Sequence, residues 1–135
     1  MTTTMQNIVP PREDLMAMGR VEAANGVLAL VSSAFDATKG DGPRRVQALV
    51  TKTPRRFAKL LSGVQVDKRG EIRAEVVVRN LNQQPEGQRS KLLSEVLLDL
   101  IERALEVVMD ELDEERAVEV LTAAASYKVK LREPD

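Results

Sequence analysis

The residues whose types and spacing could do chemistry are arginines. Pro43-Arg44-Arg45-Val46, followed by Leu49-Val50, recurs eleven positions later as Pro54-Arg55-Arg56-Phe57, followed by Leu60-Leu61. Each copy predicts a short helix with proline in its first turn, where a missing N–H goes unnoticed. Thr53 is a sound N-cap for the second copy, and Asp41 or Gly42 could start the first. A helix start already carries unsatisfied N–H groups and partial positive charge. Two arginines there are locally unfavourable by roughly a few tenths of a kcal/mol each. Doing so twice builds a candidate site for something anionic: phosphate, nucleic acid or an acidic protein surface. Lys52 and Lys59 enlarge it, so the candidate anion- or partner-binding set is Arg44, Arg45, Lys52, Arg55, Arg56 and Lys59. The competing expectation is that these cations pair with the protein's own carboxylates, each such pair being worth little.

Other chemistries find few residues to use. The chain has no Cys, His or Trp, which excludes zinc fingers, Cys-ligated iron–sulfur clusters, His-based triads and disulfides. Gly40-Asp41-Gly42 lacks the length, strand and lysine of a phosphate-binding loop. The serines have no histidine to activate them, and no lysine is singled out as a base. Acidic pairs at helical spacing, Glu102/Glu106 and Glu111/Glu115, fit a solvated surface better than a cation site. No catalytic residue, metal site or cofactor is expected.

The charges nearly cancel, with 20 basic and 21 acidic residues among 135, but they are unevenly spread. Residues 39–79 hold eleven basic and four acidic side chains; residues 1–38 carry a net charge of −2 and residues 80–135 one of −6. A basic middle facing an acidic last third can neutralise itself or attract an acidic protein partner. DNA binding through the same arginines is an alternative. It is weakened by the overall pI of about 5.6, and the scarcity of aromatics removes the stacking platforms of single-strand binders. No apolar run approaches the roughly 20 residues needed to span a bilayer, and no membrane association is expected. Residues 1–11 lack the pattern of a signal peptide, so a cytoplasmic location is expected.

The elements that must position the arginines follow from periodicity. Residues 1–11 and 133–135 read as tails around one globular domain, 12–132. A first helix from about Glu13 to Ala37 carries Leu15, Met18, Val21, Leu28, Val31 and Phe35 on one face. Gly19 and Gly26, seven apart, could admit a closely approaching neighbour; a break near Asn25 is the alternative. After the two basic helices, Val64–Val66, the turn Asp67-Lys68-Arg69-Gly70 and the alternating Glu71–Arg79 predict a β-hairpin over about 64–79. A long helix follows to Leu112, then a last helix capped by Asp113 over about 114–125. Alternation at 127–132 predicts a third strand, with lysines suited to an edge. The expected fold is α+β: two longer helices and two short basic helices packed on a small antiparallel sheet.

The long helix is apolar beyond the width that a one-sided surface helix needs. Leu98, Val107 and Met109 widen its stripe and are the candidate dimer interface of a homo-oligomer. The same stripe could line an apolar pocket against the sheet, as in a small-molecule sensor. The leading expectation is a non-catalytic regulatory or signalling-adaptor module, homodimeric because the stripe needs cover, docking an acidic protein through the duplicated Pro-Arg-Arg.

Overall fold

The computed structural model describes residues 12–132, and the expected tails at 1–11 and 133–135 lie outside them. Five α-helices follow in order: α1 (Arg12–Thr38), α2 (Gly42–Thr51), α3 (Ala74–Leu81), α4 (Arg89–Glu111) and α5 (Glu114–Arg132). Single 3-10 turns at Arg55–Phe57 and Glu86–Gln88 punctuate the connections.

α1 is the central element, contacting α2, α3, α4 and α5. Its buried residues Ala17, Val21, Ala24, Leu28, Val31 and Phe35 recur at spacings of three and four, with Ala23 and Val27 widening the face. The helix is unbroken at Asn25. By length and composition alone α1 could cross a membrane, yet half of its apolar window is buried against the other helices, as a core helix requires. Gly26 has a visible purpose. A Cβ there would overlap the ring of Tyr127, so the glycine admits α5 to close contact with α1. Gly19 has open space around it.

The expected antiparallel sheet does not form. Among the described residues the only β-pairing is one antiparallel bridge, Val66 with Ile72. Asp67 closes the turn between them: its Oδ1 accepts from the N–H groups of Arg69 (2.8 Å) and Glu71 (3.1 Å). The second arm then becomes α3. Its buried residues Ala74, Val77, Val78 and Leu81 follow i, i+3, i+4, i+7, and the run Val76-Val77-Val78 satisfies that period as well as the alternating one. Glu75 in its first turn and Arg79 in its last suit the helix dipole. The fold is a helical bundle, not α+β.

The strand expected at 127–132 is likewise the last stretch of α5. Buried Ala117, Val120, Ala124 and Leu131, with half-buried Tyr127, continue one helical face to the end of the element. Asp113 caps this helix, its Oδ1 accepting from the N–H of Arg116 at 2.8 Å.

Two buried asparagines stand in for the missing sheet. Asn25 on α1 donates from Nδ2 to the Ile72 carbonyl and accepts at Oδ1 from the Ile72 N–H, both at 2.8 Å. Asn80 on α3 donates to the carbonyls of Leu60 and Ser62, both at 2.9 Å. Irregular backbone can enter a core only if its polar groups find partners, and these two side chains provide them.

Candidate functional site

The basic residues sit on α2 and on the segment that follows it. α2 starts at Gly42, whose N–H donates to Asp36 Oδ1 at 2.7 Å, with Pro43 in its first turn. Val46 and Val50 are buried, which leaves Arg44, Ala48, Thr51 and Lys52 exposed along the opposite side. Pro54 then halts the chain in an extended conformation, and the second Pro-Arg-Arg forms a single 3-10 turn instead of the expected second helix. The reason lies downstream. Asn80 takes the carbonyls of Leu60 and Ser62, and Gly63 turns the chain with a φ of +75°.

The joint between α2 and this turn is held from α4. Arg103 donates to the Leu49 carbonyl (2.8 Å) and to Thr53 Oγ1 (3.3 Å), and its Nε binds Asp99 Oδ2 at 2.9 Å. Replacing Arg103 by alanine strips a cap from the end of α2, and we expect a loss of about 1–3 kcal/mol of stability. Urea unfolding followed by circular dichroism checks this.

The two Pro-Arg-Arg copies share one contact. The second of each pair lies over an aromatic ring: Arg45 at 4.6 Å from the Phe35 centroid, Arg56 at 4.7 Å from that of Phe57. Arg45 also binds Asp41 Oδ2 at 3.0 Å and forms an ion pair with Glu111 on α4. Hydrogen bonding to Glu111 first, and to Asp41 second, holds its guanidinium above its ordinary pKa. Arg45 is therefore a tie between α2 and the end of α4. Arg56 lines an open groove with Phe57, Glu95, Leu98, Asp99 and Glu102, so the acidic edge of α4 faces it.

The first arginine of each pair is different. Arg44 and Arg55 are exposed, as are Lys52 and Lys59, and none of the four makes an ion pair with any described residue. A polar cleft of about 290 Å³ lies between the end of α2 and residues 58–65. Thr51, Thr53, Ala58 and Ser62 are among its lining residues, which places Lys52 and Lys59 beside it as their chain neighbours. Of the six predicted cations five are exposed, and only Arg45 is half-buried and held by ion pairs.

The proposed dimer residues are not gathered together. Leu98 and Val107 are both half-buried, and at nine residues apart they stand on opposite sides of α4. Met109 shares the side of Leu98 and is 54% exposed. The acidic pairs at 102/106 and 111/115 are exposed; among the described residues no group of three or more carboxylates is gathered as a metal site. The pocket expected between long helix and sheet has no sheet to line it. A smaller cavity of about 120 Å³, between the starts of α1 and α4, is bridged by Arg20 to Ser90 Oγ (3.1 Å) and by Arg89 to the Asn82 and Gln84 carbonyls.

Residue types alone hid Asn25, Asn80 and Arg103 as structural ties. Each is polar at a position flanked by apolar periodicity, which was the available signal.

No protein-family model, curated protein or solved structure matches this chain.

Proposed function

We propose that the chain is a non-catalytic interaction module that docks an acidic protein segment across Arg44, Lys52, Arg55 and Lys59. The observation that carries this reading is the set of four exposed cations, without ion pairs among the described residues, of which Lys52 and Lys59 adjoin residues lining a polar cleft. Self-neutralisation accounts for other charges: Asp41 and Glu111 are engaged by Arg45, and Asp99 by Arg103. Arg44, Lys52, Arg55 and Lys59 are among the exposed cations it leaves over. The face is also held in advance of binding by Arg103 and Asn80, so little ordering opposes association.

An acidic protein suits the face better than duplex DNA. Helix-turn-helix proteins present a recognition helix to the major groove, and the second Pro-Arg-Arg supplies only a three-residue turn. The acidic residues of α4 and α5 would repel a long phosphate backbone.

The test is fluorescence anisotropy with a labelled short peptide of alternating Asp and Glu, alongside a short duplex DNA. Reversing all four charges (R44E, K52E, R55E, K59E) should weaken peptide binding by roughly 30-fold or more, given about 0.5–1 kcal/mol per pair. The melting temperature should stay nearly unchanged, because all four side chains face solvent. Peptide binding that survives the reversal would overturn the proposal. Tighter binding to the duplex, falling steeply with salt, would favour the nucleic-acid reading.

A further inference from the structure

α5 presents an apolar strip that no other described residue covers. Val118 is 54% exposed and Val129 62%, the latter being the most exposed large apolar side chain among the described residues. They are eleven residues apart, three helical turns, and so share one side of the helix with exposed Thr122 and Ala125. The opposite side, through Ala117, Val120, Ala124 and Leu131, is committed to the core. Single exposed apolar residues need no explanation, but two valines aligned over small residues form a strip along a helix about 28 Å long.

The charges on α5 say what covers the strip. Its first half holds Glu114, Glu115 and Glu119 against Arg116, and its second half Lys128 and Lys130. Two copies packed parallel would set acid beside acid and base beside base. Packed antiparallel about a two-fold axis, each acidic half meets a basic one and the helix dipoles oppose favourably. The register that puts Val118 against the second copy's Val129 also puts Thr122 against its Ala125. Small side chains then lie at the crossing point, where two helices come closest. In that register Lys130 falls on the same side of the interface as Glu115 and Glu119 of the other copy, midway between them along the axis.

We infer that a second copy of this chain docks on α5, antiparallel, with Val118 and Val129 as its apolar contacts and Lys130 between Glu115 and Glu119 as its charge lock. The inference is independent of the basic face on α2. One helix pair buries less than the roughly 1,200 Å² of a standard interface, so the dimer should be weak, with a Kd in the micromolar range or above.

The test is sedimentation equilibrium of the full chain from about 5 to about 500 µM, a range that brackets such a Kd. The wild type should pass from monomer to dimer. Val129→Glu should weaken dimerisation by about tenfold or more, the effect of one buried unpaired charge, and Val129 is exposed enough for the monomer's melting to stay unchanged. Lys130→Glu gathers three acids and should do the same, most strongly at low salt. Adding Glu115→Lys and Glu119→Lys to Lys130→Glu restores opposite charges and should restore the dimer. A wild type that stays monomeric throughout, a dimer indifferent to Val129→Glu or Lys130→Glu, or a triple variant no better than Lys130→Glu would each overturn the inference.

Discussion

Replacing Asn25 by leucine lowers stability by about 2–5 kcal/mol, because the buried N–H and carbonyl of Ile72 each lose their only side-chain partner. In a chain of this size that is a fall in melting temperature of roughly 10–15 °C. Leucine has the branched outline of asparagine, with bulkier methyl ends and more apolar surface, so a core that only needed filling would gain from it. The prediction separates the two views. Asn25→Asp sharpens it: aspartate keeps an acceptor for the Ile72 N–H but sets a carboxylate oxygen against the Ile72 carbonyl, and should be at least as damaging. Thermal unfolding of both variants by calorimetry supplies the measurement. A Leu variant as stable as wild type would mean that the Ile72 backbone finds other partners, and that Asn25 does not hold the 66–72 loop.

The second large effect is at Gly70. Its φ is +85°, and a Cβ there would press into Ser32 on α1, 2.6 Å from its Oγ. Ser32 is itself buried on the central helix, which leaves it little room to retreat. Gly70→Ala therefore combines left-handed strain with overpacking and should cost about 3 kcal/mol or more. Gly63 is the internal control. It has a similar φ of +75° but open space where its Cβ would go, so Gly63→Ala should cost only about 1 kcal/mol. The difference between the two variants in urea denaturation measures the contact with Ser32 alone. Equal losses would mean that the loop does not rest on α1.

These two sites mark where the sequence was hardest to read. α1 and α4 were legible almost to the residue, because long stretches of apolar spacing admit one period only. The segment 71–79 was not, since three consecutive valines satisfy a strand and a helix alike. What decides between them is Leu81, beyond the alternating run, together with Asn25, 47 residues away, which takes the Ile72 pairing that a second strand would have used. The end of the chain was ambiguous for a related reason. Lys128 and Lys130 alternate with Val129 and Leu131, while only the earlier Ala117, Val120 and Ala124 reveal that Leu131 closes a helical face. Short windows favour the strand; the longer register is helical.

The basic site was legible in composition and not in arrangement. The repeat drew attention to four arginines, but the tying of Arg45 to the bundle depends on Phe35 and Glu111, the latter distant in sequence. The widened stripe of α4 was a true excess of apolar residues for a surface helix. Its explanation is a helix packed against α1, α2 and α5, with Leu98 and Val107 on opposite sides of it.

Arg44, Lys52, Arg55 and Lys59 are proposed to form one docking face for an acidic segment. Its most direct test is a titration of the isotopically labelled protein with the acidic peptide, following backbone amide resonances by NMR. The account predicts shifts confined to α2, to residues 51–59 and to the cleft residues Ser62 and Gln65, with α5 silent. Shifts spread along α5, or absent from α2 while the peptide binds, would contradict it.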